Sequence, residues 1–528
     1  MSFIQEGPRI DYENFDKDKL ITNTLKWLVS GKDTRQDIKN DLLRFYTEVL
    51  PLAHKWSEQA EAHPPRHIPY SPWGEKIDEI ETHEAWKKLD ALSATEGLIH
   101  LGHHEQNEHG RIHQFLKLFL FHPDSAFYTC PLAMTDGAAK LIKELLKMKH
   151  LDTDKRTLLN KAYKHITSND PEQFWTSGQW MTEKSGGSDV GHTETRAIKE
   201  GNSYKLYGTK WFTSATTSQM TFTLARIQDE FGETIPGNKG LSLFYVKLRD
   251  DDGHLQGIRV RRLKDKLGTK ALPTAELDFD GAKAELVGEQ GLGIKNISHL
   301  FNITRIYNAC TTIGSFKRLL DLAKDYSNKR VAFQKRLIDH PLHKRTLNEI
   351  EIEFEKCFKL TFYTVALLQQ SENNEAADEE DHDTMALLRL LTPIAKLYTA
   401  KKNINATTEL VESFGGAGYI EDTGIPRFLR DSQVFCIWEG TTNILSLDCI
   451  RAIQKENAYE VFYKKACEKL EEMDEDKASE LKQRLDKLST QLKSWSKDPD
   501  LMQYHARDLS FRIGDLCVDI FCSELEFS

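Results

Sequence analysis

Nowhere in its 528 residues does the chain carry a CxxC pair. Its eight cysteines, at 130, 310, 357, 436, 449, 467, 517 and 522, are scattered. Neither a zinc site nor a disulfide framework is indicated, and they read as reduced packing residues. Also missing is any apolar run near the roughly 18–20 residues that span a bilayer. The longest apolar segments, such as Leu241 to Val246, are strand-sized, which excludes an integral membrane segment. Positive charge is not in excess either: the net charge of −10 provides no overall field to draw in a phosphate backbone, so nucleic acid is disfavoured as a partner. The first twenty residues hold five acids (Glu6, Asp11, Glu13, Asp16, Asp18) against three bases. Signal and transit peptides do not have that balance, and a cytoplasmic location is the expectation. No repeat with a period of 20–50 residues is visible. The one biased tract, the acidic run Glu372 to Asp383, reads as a solvated loop between helices.

What is present is the composition of a multidomain globular protein, 39% apolar and 29% charged, too long for one hydrophobic core. Apolar residues recur at three- and four-residue spacing in Ile38-Leu42-Leu43-Tyr46 and Leu141-Ile142-Leu145-Leu146, the helical period. Prolines 64, 65, 69 and 72 interrupt this first third and predict a long loop that packs through Trp73 and Trp86. From about Ser177 to Gly288 the period falls to two, in Met220-Phe222-Leu224, Leu241-Leu243-Tyr245 and Ala275-Leu277-Phe279, which predicts an antiparallel β domain. The helical period then returns. The expected architecture is α+β, with an N-terminal helical domain (1–176), a central antiparallel β domain (177–290), a C-terminal helical bundle (291–454) and a helical extension (455–528). That extension holds 12 Lys/Arg against 17 Asp/Glu, a net −5 that also weighs against DNA.

Three segments carry candidate chemistry. Trp180-Met-Thr-Glu-Lys-Ser-Gly-Gly-Ser-Asp-Val190 runs from a strand into hydroxyls and two glycines; such a turn lets backbone amides and Ser188 approach a phosphate, and it is equally a plain β-turn. Gly208-Thr-Lys-Trp-Phe-Thr-Ser214 could flank a planar ring, or its aromatics could be core. Phe414-Gly-Gly-Ala-Gly-Tyr419 precedes Ile437-Trp-Glu-Gly-Thr-Thr-Asn443. If Glu439 is buried beside Phe435 and Ile437, its carboxylate is desolvated, as suits a general base for a weakly acidic carbon; a capping or salt-bridged Glu is the alternative. His103, His104, His109 and His113 include imidazoles four apart, which could share a helix face, but Gly110 interrupts them and no acidic or thiolate cluster completes a set. No metal is expected.

In their order, the helical domain, MTEKSGGSD, GTKWFTS, the basic RVAFQKRLIDHPL segment, FGGAGY and RDSQVFCIWEGTTNI resemble the acyl-CoA dehydrogenase superfamily from about residue 40 to 455. Within it the likeness is to the AidB-like branch, which shares the TEKxGGSD form, the IWEG motif and a stretch like Pro64 to Trp86. The resemblance implies that superfamily's fold, with a four-helix-bundle C-terminal domain, and FAD as cofactor. It places Met181, Thr182 and Ser188 at the isoalloxazine and phosphate end of FAD, and Phe212, Thr213 and Ser214 beside the ring. Arg330 and Phe333 hold the places from which a neighbouring subunit reaches the adenine dinucleotide, which implies a homotetramer, a dimer of dimers. Gly415 and Gly416 match the diglycine near the pyrophosphate. Trp438, Thr441 and Asn443 flank the base on the flavin side, and Glu439 matches the base itself. Ser188 and Arg305 are implied on the substrate side, Arg305 being equally readable as one half of an ion pair. Two residues depart from the pattern: Gln334 stands where most relatives have Gly, and Glu412 where many have Gln.

The activity implied is α,β-dehydrogenation of a medium- or long-chain fatty acyl-CoA to a trans-2-enoyl-CoA, with electron-transfer flavoprotein as the superfamily's usual acceptor. The AidB-like likeness adds two alternatives: a flavoprotein that sequesters fatty acyl-CoA with little turnover, and a DNA-protective flavoprotein.

Overall fold

A computed structural model describes residues 5–17, 19–104, 108–149, 151–250 and 252–525. The chain forms two compact units that do not follow chain order. One comprises residues 52–105 and 124–304; the other comprises 1–51, 106–123 and 305–528.

The first unit is built on β structure. Prolines 64, 65, 69 and 72 do not make a long loop: a hairpin forms instead, from β1 (Arg66–Tyr70) and β2 (Lys76–Glu81). Pro69 has no amide to donate, and it falls where the register slips between Ile68 and Tyr70; that is how a strand tolerates proline. The hairpin is held down by the buried Asp78, whose carboxylate accepts from His67 (2.9 Å) and from the amide of Val260 (3.1 Å). Of the two tryptophans expected to pack this segment, Trp86 is buried, whereas Trp73 at the hairpin turn is 95% exposed.

Seven strands form the main sheet among the described residues: β3 (Ser177–Gln179), β4 (Arg196–Glu200), β5 (Ser203–Ser214), β6 (Met220–Ile227), β7 (Leu241–Lys247), β8 (Ile258–Leu263) and β9 (Thr274–Leu286). The pairings β6–β4–β5–β9–β7–β6 close on themselves, with β4–β6 and β7–β9 joined by only two residue pairs each, while β3 extends β6 and β8 extends β9. All pairs are antiparallel except β3–β6 and β4–β6. One face packs on the helices Thr129–Leu146 and Thr153–Ile166. There Leu141, Ile142 and Leu145 meet Leu159, Met220, Phe222, Leu224 and Leu243, all fully or almost fully buried. Each such side chain contributes about 2 kcal/mol of hydrophobic stabilisation.

The second unit is helical. Its long helices are Gly293–Lys329 (from Arg305 onward), Pro341–Ala376 and His382–Ser413, followed by Ile425–Phe435 and Thr442–Glu456. Gly110 does not interrupt a helix but opens one, Gly110–Phe121, which is buried along nearly its whole length. The acidic run is only partly a loop: the helix Pro341–Ala376 extends through its first five residues. Glu372 there accepts from Nε and Nη2 of the buried Arg111 at 2.7 and 3.0 Å. The C-terminal extension packs into this unit. Leu481, Leu485, Leu488 and Leu492 make the buried stripe of the helix Glu475–Trp495. On the helix Ala506–Phe521, Asp515 accepts from Tyr398 (2.7 Å) and Phe521 stacks on Tyr363 at 5.3 Å. Six of the eight cysteines are buried.

Candidate active site

In the β unit the two motifs lie side by side, joined by hydrogen bonds between the segment that follows β3 and the end of β5. The amide of Trp211 donates to the carbonyl of Thr182 (2.9 Å), and Trp180 Nε1 donates to the carbonyl of Ser214 (3.0 Å). A buried ion pair adds to this: Lys210 Nζ lies 2.7 Å from Glu183 Oε1, and both side chains are enclosed. Glu183 also accepts from the amide of Glu194 (2.6 Å) and from Thr195. Burial alone would raise the Glu183 carboxyl, but Lys210 and these donors outweigh it and hold it below the usual carboxylate range. Neither residue was singled out from sequence, yet together they fasten the Gly-Gly turn to β5. Within that turn Gly186 is required, since a Cβ there would sit 2.2 Å from the carbonyl oxygen of Asp189.

The predicted contacts around this turn divide into buried and open ones. Met181 is in the core, and Thr213 is buried with its hydroxyl donating to the carbonyl of Ala275 (2.8 Å). The Ser214 hydroxyl is shared with Thr274 (3.0 Å). Thr182 is half-buried, and Ser188 is exposed. Phe212 is 53% exposed on its strand, with Lys264 Nζ 4.8 Å from its ring and 3.3 Å from that of Trp211. An aromatic face left open beside a glycine turn suits a planar ring bearing phosphates.

In the helical unit Glu439 lies in the short connection between the helices Ile425–Phe435 and Thr442–Glu456. Its φ is +57°, in the left-handed region, and that of Gly440 is +101°. A non-glycine residue held there is strained, and such strain gathers at functional positions. Glu439 is half-buried, not enclosed as expected from its apolar neighbours. Trp438 is also half-buried, whereas Thr441 and Asn443 are exposed at the start of the next helix. Arg305 forms an ion pair: Nη1 lies 2.7 Å from Asp448, which Arg389 also holds at 2.9 Å. Among the described residues the buried Nε of Arg305 has no hydrogen-bond partner.

The remaining candidates lie on the open surface of this unit. Val331–Ala332 and Lys335–Arg336 form a two-residue hairpin, β10 and β11, turning at Phe333 and Gln334. Phe333 is 90% exposed, Arg330 is exposed, and Arg330 Nη1 donates to Gln5 (2.8 Å). Tyr326, one turn before Arg330, packs on Phe414 at 5.1 Å, directly ahead of the diglycine. A Cβ added at Gly415 or Gly416 would meet nothing within 4 Å among the described residues, so backbone there is open to close approach by a phosphate. Tyr419 beside it is 88% exposed. These residues fit the dinucleotide end of FAD.

The four histidines go to separate partners. His103 bonds Asp136 (2.8 Å), His113 bonds Asp41 (2.8 Å), His109 bonds Ser30 (3.0 Å), and His104 lies 5.2 Å from the His100 ring. Among the described residues no helix is long and apolar enough to cross a membrane.

Three family models match successive parts of the chain: the AidB N-terminal domain of the adaptive response protein (residues 5–164), the acyl-CoA dehydrogenase middle domain (178–282) and the acyl-CoA dehydrogenase C-terminal domain (291–454). Acyl-CoA dehydrogenase family member 11 of Caenorhabditis elegans is 43% identical over 469 residues, 88% of this chain and 74% of that protein. Putative acyl-CoA dehydrogenase AidB of Escherichia coli K12 is 31% identical over 399 residues, 75% of this chain and 70% of that one. The solved structure of C. elegans ACDH-11 in complex with C11-CoA superimposes with a TM-score of 0.92 at 39% identity, covering 98% of this chain and 88% of that chain.

Proposed function

The chain belongs to the acyl-CoA dehydrogenase family, in its AidB-like branch, and on that premise we propose that it oxidises a medium- or long-chain fatty acyl-CoA to the trans-2-enoyl-CoA with Glu439 as the base. The observation that carries this reading is the presentation of Glu439: a half-buried carboxylate held at φ +57° in the short connection 436–441 between two helices. A thioester acidifies the adjacent C–H, so a fixed carboxylate can take the α-proton as the β-hydrogen leaves with its electron pair. Members of this family are FAD-dependent, and the flavin supplies the acceptor for that hydride. Thr182, Ser188, Phe212, Thr213 and Ser214 are assigned to its ring and near phosphates, with Met181 supporting them from the core. Trp438, Thr441 and Asn443 flank the base on the ring side.

Gly415 and Gly416 are assigned to the FAD pyrophosphate, and Arg330 and Phe333 to the adenine dinucleotide of a neighbouring subunit in a tetramer. Support comes from the exposure of Phe333 and Tyr419 and the open space at the diglycine. Arg305 is a positioning group fixed by Asp448. The binding of C11-CoA by the C. elegans relative supports a chain of intermediate length. Reoxidation then falls to a carrier such as electron-transfer flavoprotein.

The test is anaerobic addition of acyl-CoAs of graded length to the purified flavoprotein. Bleaching of the flavin absorbance, abolished by Glu439→Gln, is the expected result. Tight binding with no bleaching at any chain length overturns dehydrogenation and leaves sequestration of the acyl-CoA.

A further inference from the structure

A lysine that takes no part in the assignments above is buried beside the base. Lys396 lies on the helix His382–Ser413, within the apolar stretch Leu390-Leu391-Thr392-Pro393-Ile394-Ala395-Lys396-Leu397-Tyr398, and is 0% exposed. Its Nζ donates to the carbonyl of Gly440 at 2.5 Å. An ammonium has three donors and is costly to bury, so the single carbonyl found among the described residues leaves it poorly compensated. Three groups act on its charge: Cys436 and Glu439 from the connecting segment that carries the Gly440 carbonyl, and Arg305 from the helix Gly293–Lys329. Burial pushes Lys396 down to about 7, against the attraction of Cys436 and Glu439 and together with the repulsion of Arg305.

Building on the assignment of Glu439 as base, we infer that Lys396 is a positioning residue for the proton transfer: it anchors the left-handed Glu439–Gly440 connection through the Gly440 carbonyl and is the counter-charge of the Glu439 carboxylate. Both roles follow from one placement. The anchor closes a connection in which consecutive residues have positive φ, at +57° and +101°, a conformation that reverts unless the surroundings over-determine it. The charge favours the ionised carboxylate, the form able to accept the α-proton. When Glu439 gains that proton its charge vanishes and the anchor stays, so the carboxyl is kept in register for the reverse transfer. An uncharged donor keeps the anchor and loses the counter-charge; an apolar isostere loses both.

The experiment compares Lys396→Met and Lys396→Gln with the unsubstituted holoenzyme, following the rate of anaerobic flavin bleaching at saturating acyl-CoA, the acyl-CoA affinity and the pH profile. Lys396→Met is expected to slow bleaching by about tenfold or more with affinity unchanged, and to move the acidic limb of the profile up by about one pH unit, since the carboxylate loses its counter-charge. Lys396→Gln should recover much of the rate but none of the pH shift. Should Lys396→Met not fold, Lys396→Gln decides alone, through the position of that limb. Unshifted limbs with rates like the parent overturn the inference, as does a loss confined to affinity. Glu439→Gln is measured alongside: if it bleaches normally, the base assignment fails and this inference with it; if it is inert while the lysine variants match the parent, only the inference falls.

Discussion

Lys210 and Glu183 form an enclosed ion pair, 2.7 Å from Nζ to Oε1, that joins β5 to the turn carrying the Gly-Gly motif. Breaking it from one side leaves an uncompensated buried charge. Lys210→Met is expected to cost about 3–5 kcal/mol and to release FAD, because the turn loses its fastening. The double variant Lys210→Met/Glu183→Gln should regain most of that stability, since the amide oxygen can still accept from the Glu194 amide while its NH2 donates to the Thr195 hydroxyl. Denaturant unfolding and the fraction of flavin retained on gel filtration check both statements. A single variant as stable as the parent contradicts them.

Asp41 gives a pH prediction. Burial pushes its carboxyl up, but hydrogen bonds from His113, Lys117 and Arg44 and the charge of Lys117 outweigh that and leave it far below the usual carboxylate range. A folded value below the unfolded one stabilises the protein above the unfolded pKa of about 3.9, and that contribution is lost as the pH falls toward the folded value. Asp41→Asn is therefore expected to be less stable by about 2 kcal/mol from pH 5 to 7. The gap should narrow steadily below pH 4. Urea unfolding of both proteins across that range tests it; a gap that widens on acidification reverses the sign and rejects the assignment.

The fold was legible where periodicity was long and clean. The stripe Leu481-Leu485-Leu488-Leu492 is buried as its spacing implies, and β6, β7 and β9 bury the alternating residues that marked them. The β1–β2 hairpin was not, since four prolines in nine residues mask a strand that accommodates one of them at a register slip. Glu372 was hidden among other acids, because nothing local shows that Arg111, 261 positions away, turns toward it. The motif residues were recognisable one by one, but their supports were not. Lys210 and Glu183 stand 27 residues apart and Lys396 and Gly440 stand 44 apart. The one local signal was the lysine inside an apolar helix stretch, a charge that burial would not tolerate without a partner.

Gln334 follows Phe333 at a hairpin turn where both residues have positive φ, +50° and +67°. Two-residue turns of this kind favour glycine, which has no Cβ to crowd the following carbonyl oxygen. Gln334→Gly should stabilise the hairpin by about 1 kcal/mol, that is, slow its local opening about fivefold. Hydrogen exchange at Leu337, whose amide donates to the Arg330 carbonyl (2.9 Å), reads this directly. Faster exchange in the variant would mean that the glutamine side chain supports the turn.

Gly440 allows the geometry of the base to be perturbed without touching its carboxyl. Its φ of +101° strains any other residue, and an added Cβ would lie 2.9 Å from Leu445 Cδ2 and 3.2 Å from Cγ. Leu445 is fully buried and has little room to yield. Gly440→Ala therefore has to rotate the connection, moving the carbonyl that accepts from Lys396 and the carboxylate that precedes it. A displacement of about 1 Å at a reacting group costs about a hundredfold in rate, so flavin bleaching at saturating acyl-CoA is expected to slow by that order. The cost in stability should be only about 2 kcal/mol. Acyl-CoA affinity should stay near that of the parent, because the contacts to the bound thioester are not removed. Bleaching at the parental rate in a folded Gly440→Ala protein would show that the reaction does not depend on this connection, and Glu439 would lose its strongest structural argument.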